Sequence, residues 1–321
     1  MSARYAELQV TSHFSFLRGA SSCEELFAQA AACGIEALGI VDRNSLAGIV
    51  RAHEAAKTTG VRLVVGCRLD LADGMSTLVY PTDRPAYSRL CRLLSLGKKR
   101  GGKGRCILHW EDMAAYGEGL VAILVPDEAD DECGLRLRRL RDVFGDHAYL
   151  ALTLRRRPND QLRLHELSEL AASLRVPTVV TNDVLFHVPA RRILQDVVTC
   201  IRHNVTIDEL GERRERHADR YLKPAEEMHR LFSRYPEALS RTLEIAERCR
   251  FSLDELKYQY PEERDDPALT PQQTLEKLTW EGAEHRYPEG LPDSVRASLG
   301  HELKLIEKLG YGKALCPIDH Q

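Results

Sequence analysis

Two carboxylates, Asp42 and Asp183, each follow a short apolar segment that is typical of a buried parallel strand. The segments are residues 37–41 and 178–181. In α/β folds, chemistry is placed at the carboxyl ends of such strands, because the loops there vary while the strands hold position. Asp42 therefore has two possible roles. It is a ligand or catalytic group, or it caps the turn that follows, where Asp is also common.

A hydrolytic metal centre would need imidazoles and carboxylates that converge on a cation and lower the pKa of its bound water. The side chains with that potential are Gln9, Thr11, Ser12, His13, Asp42, His53, Asp183 and His187. The sequence has no His-x-His, Asp-His or His-Glu-x-x-His pattern among them. A lone histidine such as His13 is more often a hydrogen-bonded structural residue, so the pattern does not favour a metal site.

A basic segment, LGKKRGGKGR at 96–105, combines five cations with four glycines. This composition predicts neither helix nor strand. Glycines let a backbone approach phosphates closely, and Lys and Arg neutralise them. The segment lacks the Ser or Thr of a Walker loop. Two interpretations stay open: a solvated loop, or a contact with a DNA backbone through Lys98, Lys99, Arg100, Lys103 and Arg105. The arginines of 136–141 and 155–157 are interpreted as solvated surface.

These residues need a framework, and the order of patterns predicts an α/β fold. Ser22 and Glu25 form a capping box that starts a helix near Cys23, and Gly34 is placed to end it. Six or seven strands then alternate with helices up to residue 181. We expect a barrel rather than a wide doubly wound sheet, because closure brings Asp42 and Asp183 face to face.

Beyond Asp183 the patterns are helical. An apolar stripe of Ile193, Leu194, Val197, Val198 and Ile201 predicts a helix that ends near Asn204. Capping boxes at Thr206 with Glu209 and at Thr270 with Gln273 each predict a further helix. The charged, proline-punctuated residues 258–267 are the candidate linker. The domain prediction is a barrel at 1–205, a helical extension at 206–260, a helical segment at 268–311 and a tail of different character at 312–321.

Composition sets wider bounds. Of 321 residues, 43% are hydrophobic and 29% charged, which is ordinary for a globular protein. No apolar run approaches the roughly 18 residues that span a bilayer, and the amino terminus lacks the apolar core of a secretion signal. We expect a cytoplasmic protein without membrane contact. The nine cysteines form no Cys-x-x-Cys pair, which argues against a zinc ribbon.

Seven stretches of the sequence resemble the amino-terminal region of bacterial C-family DNA polymerases, most closely the error-prone paralogue of the replicative alpha subunit. They are LQVTSHFSFLRGAS, ALGIVDRNSLAGIVRAH, LCRLLSLGKKR, VVTNDVLFHVPARRILQDVVTCIRHN, RYLKPAEEMHRLFSRYPEAL, AERCRFSLDELKYQYPEE and ELKLIEKLGY. The resemblance implies a PHP (polymerase and histidinol phosphatase) domain, a distorted TIM-like barrel of about seven βα units. It also implies that residues 268–311 begin the palm region.

In metal-competent relatives this domain holds a cluster of His, Asp and Glu. Residue by residue, the resemblance places the vestige of that cluster at Gln9, Thr11, His13, Asp42, Arg43, Arg68, Asp183 and Leu185. Asp42 and Asp183 alone match the family ligands. Because a guanidinium repels a metal cation, Arg43 and Arg68 predict a degenerate site in which an arginine pairs with Asp42 or Asp183. We expect no metal cofactor for this chain.

The resemblance also implies an activity for the full-length family. That activity is DNA-directed nucleotidyl transfer with Mg²⁺ in damage-induced mutagenesis and translesion synthesis, with DNA, a sliding clamp and other translesion-polymerase accessory proteins as partners. The palm carboxylates that hold the metal lie beyond ELKLIEKLGY, so no catalytic residue is expected here and the chain alone should be inactive. Two other functions remain as alternatives, a metal-dependent phosphoesterase and a protein-interaction module of the polymerase complex.

Overall fold

A computed structural model describes residues 3–214, 217–256 and 269–312. The chain divides into two units, residues 1–256 and 257–321, and each is described by itself. The predicted linker at 258–267 and residues 313–321 of the predicted tail lie outside the described residues.

Eight strands form the centre of the first unit. They are β1 (Ala6–Val10), β2 (Ala37–Ile40), β3 (Arg62–Val65), β4 (Cys67–Asp70), β5 (Ser76–Pro81), β6 (Leu120–Leu124), β7 (Ala148–Leu152) and β8 (Thr178–Val180). One sheet has the order β1-β2-β3 and the other β4-β5-β6-β7-β8. All pairs are parallel except β4 with β5 and β5 with β6. Single parallel bridges link the two sheets, one from Val10 on β1 to Val184 after β8 and one from Arg43 after β2 to Arg68 on β4.

The strand that the sequence does not predict is β4. Only Gly66 separates it from β3, so the two strands look like one apolar run followed by a loop. A side chain at Gly66 would clash, because its Cβ would lie 2.7 Å from the ring of Tyr80 and 2.8 Å from Cγ1 of Val41. Glycine therefore permits a sharp change of direction in a packed position, and β4 then pairs antiparallel with β5.

Helices cover the outside of the sheets. They are α1 (Cys23–Ala32), α2 (Ile49–Thr59), α3 (Arg84–Gly101), α4 (Trp110–Ala115), α5 (Asp131–Phe144), α6 (Asp160–Ser173), α7 (Arg192–His203), α8 (Ala225–Leu231) and α9 (Pro236–Arg248). The capping box of α1 is confirmed: the Glu25 amide donates to Ser22 Oγ at 3.2 Å, and the Ser22 amide donates to the Glu25 carboxylate at 3.0 Å. No helix in the described ranges is long and apolar enough to cross a membrane.

The helix α9 belongs to the same unit as the strands. Its Ile245, Ala246 and Cys249 are buried in a core cluster that contains residues of β1, β2 and β3 and of β5 to β8. Thr242 Oγ1 accepts a hydrogen bond from the amide of Ala6 at 3.3 Å. The predicted boundary after residue 205 falls inside the first unit, in which α9 shares this core with the strands.

The helix α7 confirms the helix that the apolar stripe predicts. It runs from Arg192 to His203 and ends at Asn204 in a left-handed conformation, as the apolar stripe predicts. The stripe, however, faces outward: Ile193 is 71% exposed and Ile201 60%. The buried face is polar instead, with Gln195, Asp196, Thr199 and Cys200.

The capping box at Thr206 does not start an α-helix. Glu209 does accept hydrogen bonds from the amide and the hydroxyl of Thr206, both at 2.9 Å, but the residues that follow form only a 3₁₀ turn at Gly211–Arg213. The second unit contains α10 (Pro271–Arg286) and α11 (Asp293–Leu309). Its predicted capping box at Thr270 and Gln273 is confirmed.

Candidate functional site

Asp42 follows β2 and is 1% exposed. Its Oδ1 accepts hydrogen bonds from the amide of Ser12 at 2.9 Å and from Ser15 Oγ at 2.7 Å, and its Oδ2 accepts one from Ser12 Oγ at 2.8 Å. Burial raises the pKa of Asp42, although the hydrogen bonds from Ser15 and Ser12 oppose that rise. Both carboxylate oxygens are used to hold the loop after β1.

Asp183 follows β8 in a left-handed conformation, with φ at +49°. Its Oδ2 accepts a hydrogen bond from Arg220 Nη2 at 2.6 Å, and its Oδ1 accepts one from Gln9 Nε2 at 2.9 Å. Arg68 Nη1 lies 3.6 Å from Oδ1. Burial by itself would raise the pKa of Asp183, but the positive charges of Arg220, Arg68 and Arg43 outweigh it and lower that pKa to about 2. The carboxylate is ionised and ion-paired.

The ion-paired cluster consists of Asp183, Asp70, Arg43, Arg68 and Arg220. Asp70, on β4, is its second acidic residue, and sequence reasoning missed it. It pairs with Arg43, and its Oδ1 lies 3.2 Å from Nε of Arg68. Burial tends to raise the pKa of Asp70, yet Arg43 and Arg68 hold it below its usual value. The alternation of Arg68 and Asp70 on one strand was the available signal, because residues two apart share a face.

The structure thus shows which carboxylates pair with Arg43 and Arg68. Arg68 pairs with Asp183, in agreement with the prediction. Arg43 pairs with Asp70 rather than with either predicted partner. Asp42 is satisfied by two serines instead of a guanidinium. Arg220, which sequence reasoning also missed, reaches Asp183 from the segment after α7.

The remaining predicted residues divide into two groups. Gln9 and Thr11 are buried at the end of β1, and Gln9 contacts Asp183, as described above. His13 is exposed and its Nδ1 lies 3.2 Å from the carbonyl oxygen of Ser21. Leu185 packs in a separate apolar cluster with Ala20 and Phe186. The site therefore gathers Gln9. Leu185 touches it only through its backbone, since its amide donates a hydrogen bond to the carbonyl oxygen of Arg220 at 2.9 Å while its side chain packs in the apolar cluster.

Two other histidines that sequence analysis considered lie elsewhere. His53 is on α2 and its Nε2 lies 3.2 Å from Asp254. His187 Nδ1 lies 2.8 Å from Ser21 Oγ. Among residues 3–214, 217–256 and 269–312, no three His, Cys, Asp or Glu side chains are placed to hold a metal ion.

The donor set at the strand ends does not fit a divalent cation. Its oxygen ligands would be Asp183 and the amide oxygen of Gln9, which is buried without a hydrogen-bond partner. Asp183 already accepts hydrogen bonds on both oxygens, and the guanidinium of Arg68 lies beside it. Positive guanidinium groups pair with Asp183 and Asp70 and would repel a metal ion. They belong to Arg43, Arg68 and Arg220.

The basic segment 96–105 is partly helical, which corrects the prediction of neither helix nor strand. α3 continues to Gly101, so Lys98, Lys99 and Arg100 lie in its last turn. The helix packs tightly at Gly97, where a Cβ would lie 2.6 Å from Cys106 Sγ. Arg100 forms a bidentate ion pair with Asp112, its second contact being 3.0 Å. Its charge is therefore already matched.

A cleft of about 880 Å³ at the ends of β6, β7 and β8 contains the arginines of 155–157. Arg155 pairs with Asp127, Arg156 with Asp219, and Arg157 with Glu128 at 2.7 Å. On α5, Arg136 pairs with Glu132 at 2.6 Å. These ion pairs agree with the interpretation of both arginine groups as structural surface.

The sequence identifies the family of this fold. Residues 7–173 match the PHP domain. The chain belongs to the PHP domain family. The matched residues include Arg43, Arg68 and Asp70 of the ion-paired cluster, whereas Asp183 and Arg220 lie beyond them.

Curated relatives of this PHP domain are much longer proteins. The chain is 72% identical over 308 residues to error-prone DNA polymerase 1 of Agrobacterium fabrum, 69% identical over 308 residues to error-prone DNA polymerase 2 of Rhizobium meliloti and 48% identical over 309 residues to the error-prone DNA polymerase of Caulobacter vibrioides. Each alignment covers 96% of this chain and 28% of the relative. The chain thus spans little more than a quarter of these proteins.

Solved structures resemble it more distantly. An amidohydrolase from Chromobacterium violaceum is 14% identical, with a TM-score of 0.46 over 56% of this chain and 87% of its own. The lesion-specific endonuclease PfuEndoQ from Pyrococcus furiosus is 16% identical, with a TM-score of 0.39 over 56% of this chain and 48% of its own. At these scores the likenesses carry no weight for function.

Proposed function

We propose that this chain is the amino-terminal PHP portion of an error-prone DNA-directed DNA polymerase that acts in translesion synthesis and damage-induced mutagenesis in the cytoplasm. The observation that carries the proposal is 66–72% identity to five error-prone DNA polymerases over 96% of the chain. Mg²⁺-dependent nucleotidyl transfer, a sliding clamp and accessory proteins belong to the full-length protein under this proposal.

Within the chain, the proposed role is structural, with a contact to DNA through the basic segment. The two sheets would form one distorted barrel, which the bridges from Val10 to Val184 and from Arg43 to Arg68 support. The PHP metal site would be degenerate. Ion pairs of Asp183 with Arg68 and Arg220 support this, because they use the carboxylate that a metal would need.

The outward face of α7 supports a role as a platform for the rest of the polymerase. Ile193, Val197 and Ile201 are 71%, 41% and 60% exposed on consecutive turns of one helix. Such a stripe is normally covered by another element. Since the relatives extend well beyond the aligned region, the proposed occupant is the remainder of the polymerase chain.

Isothermal titration with Mn²⁺ or Zn²⁺ tests the degenerate site. We expect no heat of specific binding to the chain and the same baseline for the Asp183→Ala variant. Submicromolar binding that is lost in Asp42→Ala and Asp183→Ala variants would contradict the proposal and favour a metal-dependent phosphoesterase.

A gel shift with primed DNA at two salt concentrations tests the contact with DNA. We expect a shift that weakens with salt, since Lys and Arg release counterions when they neutralise phosphates. A chain that binds no DNA at either concentration would favour a pure protein-interaction module.

A further inference from the structure

A second, smaller cleft of about 530 Å³ opens next to the ion-paired cluster, between the loop that follows β1 and the carboxyl end of α3. Its wall combines aromatic rings with cations. The residues of interest are Phe14, Phe16, Arg18, Arg43, Lys98 and Arg105, and Asp70 is the one carboxylate among the lining residues.

The charge of this cleft is not balanced. Asp70 is already paired with Arg43 and Arg68. Across the described ranges, no carboxylate lies within ion-pair distance of Arg18, Lys98 or Arg105. Burial, and then the nearby positive charge of Arg202, lowers the pKa of Arg18, while the negative charge of Asp70 opposes this fall. This contrasts with the larger cleft, where Arg155, Arg156 and Arg157 each have an acidic partner. The smaller cleft is therefore suited to an anion.

The backbone along its edge leaves room for a ligand. Gly102 and Gly104 have φ values of +70° and +76°, and a Cβ at either position would find no atom within 4 Å. The turn between them is closed by a hydrogen bond from the Arg105 amide to the Gly102 carbonyl at 3.2 Å. Because both glycines lack side chains in this open turn, a phosphate can approach the cations from solvent.

The other edge of the cleft presents an aromatic ring. Phe16 is 83% exposed, although its neighbours Ser15 and Gly19 are buried. An exposed ring beside free cations is the combination on which single-stranded nucleic acids bind, because any base can stack on it while its phosphates are neutralised. In a duplex the bases are stacked on each other and are not available to this ring.

We propose that this cleft binds single-stranded DNA. The backbone phosphates lie among Arg18, Lys98 and Arg105, and one base stacks on Phe16. The inference rests on the proposed contact with DNA and specifies the residues and the form of DNA involved. Of the five cations in the basic segment, only Lys98 and Arg105 line the cleft. Arg100 is paired with Asp112, and Lys99 and Lys103 are not among the lining residues. Phe16 and Arg18, from the loop after β1, complete the proposed site.

The test is fluorescence anisotropy of the 321-residue chain with a labelled oligothymidylate of about 12 nucleotides, a length within the usual site size. The Lys98→Ala/Arg105→Ala variant should bind more weakly, and the slope of log affinity against log salt should fall by about 1.4. Lys99→Ala/Lys103→Ala is the matched control, since it removes the same charge from the same segment outside the cleft. Its slope should change by less than half as much.

The outcomes separate the two proposals. If both double variants lose the same DNA affinity and salt slope, the cleft is not the binding site. The basic segment would then contact DNA without a defined site. Absence of any DNA binding by the unsubstituted chain would overturn both proposals. All four substituted residues are exposed, so thermal unfolding should be unchanged and serves as the check that each variant is folded.

Phe16 and the nature of the ligand are tested in the same assay. Phe16→Ala should weaken binding to the single strand about tenfold, whereas Phe16→Tyr should retain it. Equal binding by Phe16→Ala would overturn the stacking. Inorganic phosphate at matched phosphate concentration should not displace the strand. Displacement would mean that the cleft takes a free phosphate and would overturn the assignment to DNA.

Discussion

Arg68 on β4 and Asp183 after β8 lie 3.6 Å apart, measured from Nη1 to Oδ1. They come from opposite ends of the five-stranded sheet, whose strand order is β4-β5-β6-β7-β8. The same carboxylate is held by Arg220 at 2.6 Å. Asp183 is thus held by two guanidinium groups that come from different parts of the chain.

Asp183→Asn should destabilise the first unit by about 2 kcal/mol, because the pKa of this carboxyl is lowered from 3.8 to about 2. A lowered acid pKa contributes stability above the usual value, and that contribution is lost as pH falls from about 4 to 2. Urea unfolding at neutral pH and in this acidic range measures both effects. The control is Asp254→Asn, whose exposed carboxylate pairs with Lys57 and His53, and it should cost less than Asp183→Asn because surface ion pairs contribute little. Equal costs would contradict the ion-paired cluster.

Glu7→Gln should remove a pH dependence of stability. Burial raises the pKa of Glu7 from 4.5 to about 7, despite hydrogen bonds from the Gln9 amide and the Tyr5 hydroxyl. A raised acid pKa favours folding at low pH, and this contribution is lost as pH rises from about 4.5 to 7, by about 3 kcal/mol. Urea unfolding at both ends of that range should show the decline in the unsubstituted chain and a smaller one in the variant. If the free energy of unfolding declines equally with pH in both proteins, Glu7 is not the source of the pH dependence.

Polar substitutions on the outer face of α7 should leave stability unchanged. Ile193→Glu and Ile201→Lys place charges that suit the two ends of the helix, and both positions are exposed, so the free energy of unfolding should change by less than about 0.5 kcal/mol. Leu164→Ala, in the buried face of α6, should cost about 2–5 kcal/mol. Chemical denaturation compares them. A large loss at Ile193 or Ile201 would mean that this face is covered within the chain itself.

Gly39→Ala should destabilise the sheet by about 1–3 kcal/mol. A Cβ at Gly39 on β2 would lie 2.6 Å from the carbonyl oxygen of Leu8 on β1, and backbone in a paired strand cannot move aside cheaply. Gly134→Ala on α5 is the matched control, since its Cβ would meet only Leu170 Cδ1 at 3.6 Å. It should stabilise by about 0.5–1 kcal/mol through helix propensity. Thermal unfolding distinguishes the two, and a tolerated Gly39→Ala would contradict the close approach of β1 and β2.

Local sequence determined much of the framework. The capping boxes at Ser22 and Thr270 begin helices as predicted, because a cap needs only residues within one turn. Asp42 and Asp183 were placed at strand ends from short apolar runs for the same reason. Thr206 shows the limit of local signals, since its hydrogen bonds to Glu209 form without an α-helix after them.

Tertiary structure alone decided the partners and the faces. Arg220 reaches Asp183 across 37 positions, and Arg43 pairs with Asp70 rather than with a predicted carboxylate, because ion pairing depends on which strands become neighbours. The period of α7 predicted a helix but not its orientation: a stripe states that one face is apolar, and only the surrounding chain decides whether that face is covered. The antiparallel β4 arose from a turn at one packed glycine, and its Arg68 and Asp70 are two of the five charged residues in the ion-paired cluster.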